Sequence, residues 1–219
     1  MAISYKKLMQ AVIFLNGRLP STKIIKKFVH KNTLIIAADG GANQIKELKI
    51  SVHVIIGDMD SIHEHSLAHY KNKKTTFIKE EDQESTDFEK ALNFLIKEKI
   101  KDVTVFGATG MRPDHTLNNF SILKRFYKKI NLTLITDEFA SFYLPKRFSF
   151  NYKRGETVSL VPMPIANGIK TKGLEFPLNK ETLEFGKREG ALNRSNSDKV
   201  SISFKEGDLL IFRKHFIKA

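Results

Sequence analysis

The chain has 219 residues, of which 41% are apolar, and it carries a formal net charge of +13. This length suits one large domain or two modest ones, and no apolar run approaches the roughly 20 residues that a membrane span needs. Cysteine is absent, which excludes disulfide and thiolate chemistry and favours a cytoplasmic location.

The positive charge makes nucleic acid a candidate partner, but the excess is not concentrated in one segment. Residues 1–138 contain 22 basic and 16 acidic residues, net +6, and residues 139–219 contain 15 and 8, net +7. The sequence therefore has no basic tail, and its charge predicts only a general attraction to anions such as ATP. We expect neither a nucleic-acid nor a membrane partner.

The first half of the chain alternates apolar runs with helical patterns. Lys6 and Lys7 precede an apolar run at residues 8–15, but the run is short and no cleavage site follows, so a buried strand is a better interpretation than a signal peptide. Six strands are predicted, at residues 10–15, 33–38, 53–57, 75–78, 102–107 and 131–136.

Helices are predicted between these strands. The first begins at Pro20–Ser21, the second covers 41–48, the third begins after Thr86 and the fourth covers 114–129. The first is expected to bury Ile24, Ile25, Phe28 and Val29. The third is the best marked, because Thr86 and Glu89 have capping-box spacing. Alternating strands and helices predict a mainly parallel sheet that is covered on both faces.

The pattern changes near Asp137, after which no long helix is predicted. Short strands are expected at residues 141–145, 148–152, 157–162, 168–176, 200–204 and 208–212. We therefore predict an α/β fold with two domains. An α/β catalytic domain covers residues 1–138, and an all-β sandwich domain covers residues 139–219.

Two aspartates follow the third predicted strand in the segment GDMDS. Asp58 and Asp60 are two residues apart, so in extended backbone both carboxylates share one face. Gly57 would let the chain turn off its strand. Mg²⁺ favours such a set of carboxylates together with phosphate oxygens from a substrate, although the same segment on its own is equally typical of an acidic turn.

A third acid begins the helix after Thr86. Asp87 lies in its first turn, where a carboxylate also complements the helix dipole. Nearby backbone N–H groups could receive a phosphate, and Gln83 could donate to a phosphate or align the nucleophile. The alternative to a metal-binding role is that Asp87 only complements the helix dipole.

The segment GATGMRPDH, residues 107–115, joins two glycines to an arginine and an aspartate. Arg112 can bind phosphate with two N–H groups and neutralise developing charge. Asp114 could bind a metal or orient His115. A simple helix start, with Asp114 as its cap and Arg112 on the surface, is the alternative.

The segment DGGAN, residues 39–43, follows the second predicted strand. A strand, glycines and a helix in this order build the nucleotide crevices of open α/β sheets. Asp39, Gly40 and Gly41 would then border the ligand, and Asn43 would face it. A helix cap after a turn is the structural alternative.

Two other signals are rejected. The sequence contains no GxxxxGK[ST] loop, which excludes a P-loop nucleotide enzyme. His63, His65 and His69 are interpreted as a solvated helix face, since no fourth zinc ligand stands at suitable spacing.

Taken in order, the four acidic segments resemble the thiamine pyrophosphokinase family. They are DGGAN at 39–43, GDMDS at 57–61, DQESTDFEKAL at 82–92 and a GATGxRxDHxLxN stretch at 107–119. The segment at 173–186 and the pair Ser195–Asn196 also match. The resemblance covers about residues 37–204.

The resemblance implies a function and roles for residues. It implies a homodimer that transfers pyrophosphate from ATP to the hydroxyl of thiamine with Mg²⁺, giving thiamine diphosphate and AMP. Asp58, Asp60 and Asp87 correspond to the metal and catalytic acids. Nucleotide and phosphate contacts correspond to Asp39, Gly40, Gly41, Asn43, Gln83, Thr86, Arg112 and Asp114. Ser195 and Asn196 correspond to the loop that recognises thiamine.

The chain departs from the family pattern in places. Met111 stands where glycine is common, Pro113 stiffens the same loop, and Arg194 precedes Ser195 where a small polar residue is usual. Because tryptophan is absent, Phe212 or a neighbour is expected to stack on thiamine.

Three alternatives stay open from sequence. The chain could be a pyrophosphokinase for another alcohol, such as a hydroxymethylpterin, or a nucleotide hydrolase that releases AMP without an acceptor. It could also be a non-catalytic, basic nucleic-acid-binding protein, which would show steep salt dependence.

Overall fold

A computed structural model describes residues 8–216. Lys6, Lys7 and the outer ends of both predicted domains, residues 1–7 and 217–219, lie outside the described residues. The fold is mixed α/β, as predicted, and the chain divides into two compact units, one up to Asp137 and one at Glu138–Phe216. Within the described part, no helix is long and apolar enough to cross a membrane.

The first unit alternates strands and helices over residues 8–137. The strands are β1 (Gln10–Phe14), β2 (Thr33–Ala38), β3 (Val54–Gly57), β4 (Thr76–Lys79), β5 (Asp102–Phe106) and β6 (Asn131–Ile135). The helices are α1 (Thr22–Ile25), α2 (Gly41–Glu47), α3 (Glu64–Lys71), α4 (Asp87–Lys97) and α5 (Pro113–Phe126). All six predicted strands are present.

These six strands form a parallel sheet in the order β4-β3-β2-β1-β5-β6. The chain builds outward from β1 to β4, then returns to add β5 and β6 on the other side of β1. The direction of winding reverses between β1 and β5, and ligand crevices of open α/β sheets lie near such a reversal, at the carboxyl ends of the strands. Every residue of β2 and β3 is buried, which is typical of parallel strands covered on both faces.

Local sequence signals fix the starts of α4 and α5. Thr86 caps α4, and its hydroxyl accepts from the N–H of Glu89 while the Glu89 carboxylate accepts from the N–H of Thr86. The predicted capping box is therefore confirmed. Pro113 occupies the first position of α5, where its missing N–H and fixed φ suit a helix start. Arg112, and not Asp114, takes the cap position.

Glu89 also ties α4 to α5. Its side chain is only 11% exposed, and its Oε1 lies 2.6 Å from Nη1 of Arg125 near the end of α5. The same carboxylate therefore holds the start of one helix and the end of the next.

The second unit is built of strands alone within residues 138–216. They are β7 (Phe139–Tyr143), β8 (Arg147–Asn151), β9 (Thr157–Lys172), β10 (Asn179–Glu184), β11 (Gly190–Arg194), β12 (Lys199–Ser203) and β13 (Glu206–Lys214). All their pairings are antiparallel, and β9 pairs with β10, β11, β12 and β13. A cluster of buried apolar side chains, including Leu160, Ile169 and Leu183, forms the core of this unit.

Some predicted boundaries are wrong. The helix expected to bury Phe28 and Val29 ends at Ile25. The N–H groups of Lys27 and Phe28 bond three residues back, to Ile24 and Ile25, and tighten the turn. The separate strands expected at 157–162 and 168–176 are one strand that ends at Lys172. Pro162 does not break it, since Pro162 lies opposite Leu209 beside a register shift, and strands tolerate proline at such irregularities.

Strands β10 and β11 were not predicted. Most of their residues are exposed, with burial confined chiefly to Leu183 and Asn193. Their sequences therefore show little alternation of apolar and polar residues, which is the signal that strand prediction requires.

We predict that Glu89→Ala lowers the free energy of unfolding by about 1–3 kcal/mol, because it removes both a cap bond and a buried partner of Arg125. Urea denaturation measures the change. Glu47→Ala, at the exposed end of α2, is the control and should change stability by less than about 0.5 kcal/mol. Equal losses in the two variants would contradict the structural role of Glu89.

Candidate active site

Five loops meet at the carboxyl-terminal edge of the parallel sheet. They follow β1, β2, β3, β4 and β5, and they line one cleft of about 560 Å³. Because all six strands run in the same direction, residues far apart in sequence reach the same edge. The cleft lies at the reversal of strand order, the usual position of ligand sites in open α/β sheets.

Three aspartates converge in this cleft. Carboxylate oxygens of Asp39, Asp58 and Asp87 all lie within 4.8 Å of one another. Asp39 follows β2, Asp58 follows β3 and Asp87 begins α4. The sequence predicted that Asp58 and Asp87 would meet, and the structure brings them together, but with Asp39 as the third member instead of Asp60.

Asp60 lies outside the cluster of three. It is exposed, and its Oδ1 accepts a hydrogen bond from the Ser61 hydroxyl. Its backbone N–H donates to Oδ1 of Asp58, which is the main cause of the lowered pKa of Asp58. Asp60 still lines the cleft, and its role as a metal ligand stays a prediction.

Gly57 makes the convergence sterically feasible. Its φ is +150°, which side chains rarely allow. A Cβ at this position would lie 2.8 Å from Cβ of Asp39 and 2.9 Å from Oδ1 of Asp87. The absence of a side chain therefore leaves the space in which the carboxylates meet.

Asp39 is the most buried of the three, with 1% of its surface exposed. Its Oδ2 accepts from the N–H of Ser61 at 2.9 Å, whereas Oδ1 is buried and has no hydrogen-bond partner within residues 8–216. Burial is the main cause that raises the pKa of Asp39 to about 6, and repulsion from Asp87 adds to it.

A lysine stands beside the cluster. Nζ of Lys90 lies 3.2 Å from Oδ1 of Asp87, and the lysine side chain is 3% exposed. Burial raises the pKa of the Asp87 carboxyl, while the Lys90 ammonium acts in the opposite direction. Asp87 is therefore paired with a cation, which offsets one of the three negative charges of the cluster.

The cluster fits a hard divalent cation. All three donors are carboxylate oxygens, which Mg²⁺ prefers. The unpartnered, buried Oδ1 of Asp39 supports this fit, because a buried anionic oxygen without a partner is costly. Asp39, Asp58 and Asp87 are thus the residues that would hold the ion.

The loop after β5 carries the arginine that the sequence singled out. Arg112 lines the cleft, but its guanidinium donates from Nε to Oδ1 and from Nη2 to Oδ2 of Asp114, at 3.1 and 2.5 Å. This pair lowers the pKa of Asp114 to about 2. Both side chains are exposed, so Arg112 can exchange Asp114 for another anion.

Other predicted residues are placed differently. Gln83 and Thr86 line the cleft, as does Gly40. Gly41 does not line it, and instead lies so close to β1 that a Cβ would collide with the carbonyl of Phe14.

The side chain of Asn43 is occupied within the protein. Its Nδ2 donates to the carbonyl of Ser61 and its Oδ1 accepts from the N–H of His63, both at 2.9 Å. Asn43 therefore fixes the loop after β3, and its predicted contact with a ligand stays a prediction.

Ser195 and Asn196 belong to the second unit. The Ser195 hydroxyl is buried and donates to the carbonyl of Lys153 at 2.5 Å. Nδ2 of Asn196 donates to the carbonyl of Leu174. These bonds shape the loop after β11, and the predicted recognition of thiamine by this loop stays a prediction.

Sequence reasoning missed two parts of the cleft. Asn16 and Gly17 follow β1 and line the cleft, and Gly17 donates its N–H to the carbonyl of Gly107. Polar and glycine residues directly after a buried strand were the available signal. Lys90 was missed because it falls within a helical pattern in which lysines are usually solvent-facing.

Comparisons with known proteins agree with this architecture. Residues 25–135 match the family model described as thiamin pyrophosphokinase, catalytic domain, and residues 145–209 match its vitamin B1 binding domain. The chain belongs to the thiamin pyrophosphokinase family. The family resemblance inferred from the sequence motifs is therefore confirmed.

Relatives in the thiamin pyrophosphokinase family are found in plants and bacteria. Thiamine pyrophosphokinase 1 of Oryza sativa subsp. japonica is 30% identical over 215 residues, which cover 85% of this chain and 79% of the relative. Thiamine pyrophosphokinase 2 of Arabidopsis thaliana is 30% identical over 227 residues, covering 90% and 82%.

Solved structures from the thiamin pyrophosphokinase family share the fold. Thiamine pyrophosphokinase from Bacillus subtilis superposes with a TM-score of 0.83 at 23% identity, covering 94% of this chain and 98% of the other. The enzyme from Candida albicans gives 0.84 at 18% identity, covering 96% and 90%. These likenesses establish the fold of the chain.

We predict that Asp39→Asn has opposite effects with and without magnesium. Because its pKa is raised in the folded chain, the Asp39 carboxyl ionises less readily there than in the unfolded chain. The free energy of unfolding therefore falls as pH rises from about 4 to about 6, and the whole loss is present above pH 6. At pH 7.5 in EDTA the variant should therefore melt a few degrees higher than the wild type. With Mg²⁺ the wild type should gain melting temperature and Asp39→Asn should gain little.

Thermal melts with and without Mg²⁺ measure both effects. Asp102→Asn is the control, because Asp102 begins β5 and is exposed at the far end of that strand. It should keep the wild-type response to magnesium. A wild-type-like magnesium response in Asp39→Asn would remove Asp39 from the cation site.

We also predict that Gly57→Ala abolishes the magnesium-induced rise in melting temperature, because the new Cβ occupies the space between Asp39 and Asp87. Gly155→Ala is the matched control. Gly155 also has a positive φ, of +80°, but a Cβ there meets nothing within 4 Å. The control should lose about 1 kcal/mol of stability from backbone strain and keep its response to magnesium.

Proposed function

We propose that the chain transfers the pyrophosphoryl group of ATP to the hydroxyl of thiamine, giving thiamine diphosphate and AMP. The convergence of Asp39, Asp58 and Asp87 at the carboxyl-terminal edge of a parallel sheet, in a member of the thiamin pyrophosphokinase family, is the observation that carries the proposal. The family match favours thiamine over a hydroxymethylpterin, and it gives no support to nucleic-acid binding or to hydrolysis without an acceptor.

The reaction joins an alcohol to the β-phosphorus of ATP. The hydroxyl oxygen of thiamine forms a bond to that phosphorus, and the bond from the phosphorus to the oxygen bridging the α- and β-phosphates breaks. The bridging oxygen leaves with AMP and keeps the electron pair, while the hydroxyl proton passes to a carboxylate base. Positioning and neutralisation of phosphate charge supply most of the acceleration in such reactions.

Two groups would neutralise the negative charge of the phosphates: a cation held by the acidic cluster, and Arg112. Mg²⁺ bound by Asp39, Asp58 and Asp87 would supply positive charge to the phosphate oxygens. Arg112 would exchange its present partner Asp114 for a phosphate and bind it with the same two N–H groups.

The remaining predicted residues are proposed to orient the nucleotide. Gln83, Thr86 and Gly40 line the cleft beside the cluster, where amide, hydroxyl and backbone groups can accept or donate to phosphates. Asp60 lies at the same wall, and we propose that it assists as a metal or catalytic acid.

The second unit is proposed to recognise thiamine. Residues 145–209 match a vitamin B1 binding domain, which supports the predicted division into a catalytic domain at 1–138 and a β-sandwich domain at 139–219. Within that domain we propose that Ser195, Asn196 and the aromatic Phe212 contact thiamine. The family resemblance also supports a homodimer, and the absence of cysteine is consistent with the cytoplasm.

The direct test is to incubate the purified chain with ATP, Mg²⁺ and thiamine and to separate the products. Equal amounts of AMP and thiamine diphosphate are expected, and omission of thiamine should suppress AMP release. AMP formed at the same rate without thiamine would identify a hydrolase instead. A hydroxymethylpterin in place of thiamine should give no product.

We predict that Asp58→Asn lowers kcat by at least about 100-fold, because it removes one of the three carboxylates that would hold the cation, and that cation would neutralise the charge of the transferred group. Asp60→Asn should lower kcat by more than about tenfold, a smaller loss, since Asp60 lies outside the cluster. Asp102→Asn serves as the control and should keep the wild-type rate. A larger loss in Asp60→Asn than in Asp58→Asn would exchange the roles of these two residues.

A further inference from the structure

Lys90 is the single buried lysine or arginine among residues 8–216. It lies in the first part of α4, three residues after Asp87, and its side chain is 3% exposed. It lines the cleft together with Asp58 and Asp87. No role was assigned to it from the sequence motifs.

The position of Lys90 is energetically unfavourable for a structural cation. The start of a helix carries partial positive charge from its free N–H groups, so an ammonium there is repelled. Burial adds a desolvation cost that a single ion pair rarely offsets. Residues that break such local rules are most often found at functional sites.

The ammonium also has unused hydrogen-bonding capacity. A lysine ammonium has three N–H donors, whereas the described part of the chain gives Nζ of Lys90 one acceptor, Oδ1 of Asp87, at 3.2 Å. The neighbouring side chain of Glu89 is already occupied by Thr86 and Arg125. An oxygen-rich anion entering the cleft would complete the coordination of the ammonium.

The charges of the cleft determine which kind of anion can reach the Lys90 ammonium. Asp39, Asp58 and Asp87 repel an uncomplexed anion, so the ligand must arrive with a divalent cation that the carboxylates attract. A polyphosphate complexed to a divalent cation has this property, since its metal binds the aspartates and its free oxygens accept from an ammonium. Lys90, beside Asp87, is placed to meet such an oxygen.

We propose that Nζ of Lys90 is a catalytic group that donates a hydrogen bond to an oxygen of the pyrophosphoryl group as it passes from ATP to the acceptor. The inference rests on the proposed function. Lys90 stabilises the negative charge of the transferred group from the helix side of the cleft, and a cation held by Asp39, Asp58 and Asp87 would supply further positive charge. Its ion pair with Asp87 holds the ammonium in place before the nucleotide binds.

The absence of cysteine allows a test in which only one atom of the side chain changes. Lys90→Cys is unfolded, alkylated with 2-bromoethylamine or with 2-bromoethanol, and refolded. The first reagent rebuilds a lysine of the same length with sulfur in the chain, and the second places a neutral hydroxyl where the ammonium was. Wild-type chain treated identically controls for refolding.

The two alkylated forms are compared by kcat, by Mg²⁺ affinity and by calorimetric titration with Mg²⁺-tripolyphosphate. The neutral form should lose at least about 100-fold in kcat, as expected for one donor to a developing charge. It should bind Mg²⁺-tripolyphosphate about tenfold more weakly and bind Mg²⁺ alone within about threefold of wild type. The aminoethyl form should recover most of both losses.

Lys97→Cys is the matched control, because Lys97 is an exposed lysine at the end of the same helix. Both of its alkylated forms should keep the wild-type kcat. The proposal is overturned if the neutral form at position 90 keeps kcat within about threefold. It is equally overturned if that form loses Mg²⁺ affinity and regains kcat at saturating Mg²⁺, since Lys90 would then act only through Asp87.

The outcomes also separate this inference from the proposed function. If the wild type forms thiamine diphosphate and the neutral form does so equally well, the inference alone fails. If the wild type forms no thiamine diphosphate but Mg²⁺-tripolyphosphate binding still requires the ammonium, the proposed function fails and the phosphate contact of Lys90 stands.

Discussion

The mutual repulsion of three carboxylates held together at the edge of a sheet is the constraint on which the rest of the structure depends. Oxygens of Asp39, Asp58 and Asp87 lie within 4.8 Å, and at an effective dielectric constant of about 20 each pair repels by about 3 kcal/mol. The fold has to oppose this repulsion before any ligand arrives. It does so with the backbone of Ser61, the ammonium of Lys90 and the rigidity of the surrounding strands.

Rigidity comes from the parallel sheet. Strands β2 and β3 are buried along their whole length, so their carboxyl ends cannot move apart without exposing core side chains. Gly57 leaves the gap between Asp39 and Asp87, and the capping box fixes the turn that carries Asp87. A strained, charged site is therefore stabilised by apolar packing elsewhere, as is typical of functional sites.

The electrostatics of the chain are local and do not follow its net charge. A chain with a net charge of +13 concentrates acidic groups in the cleft and places cationic groups, Lys90 and Arg112, at the walls of the same cleft. This arrangement suits a complex of a divalent cation with a polyphosphate, and its acidic character is also compatible with a cationic acceptor such as thiamine. The net charge made nucleic acid a candidate partner, whereas the cleft suits a smaller, metal-complexed anion.

The family relationship and the fold agree with each other, but neither assigns a chemical role to an individual residue of the cleft. Solved structures that superpose on this chain with TM-scores above 0.8 are 18% to 23% identical to it. The architecture is therefore retained where most side chains differ. The cleft residues of this chain therefore have to be argued from their own contacts. Lys90 is the clearest example, because it lies within the segment at 82–92 but its burial and its pairing with Asp87 are what indicate a role.

The sequence by itself determined the six parallel strands, the capping box at Thr86 and Glu89, the change to an all-strand unit near Asp137, and the family. These rest on local periodicity and on motifs that are contiguous in the chain. The sequence did not reveal β10 and β11, since their exposed residues carry no periodic signal.

Only the tertiary structure decided which carboxylates meet. Spacing along the chain paired Asp58 with Asp60, whereas the register of β2 beside β3 brought Asp39 to Asp58 and turned Asp60 toward Ser61. It also buried Lys90 against Asp87 and engaged Asn43 with the loop after β3. Such pairings depend on the distances between separate strands and helices. Those distances exist only once the sheet has assembled, so they cannot be read from the order of residues.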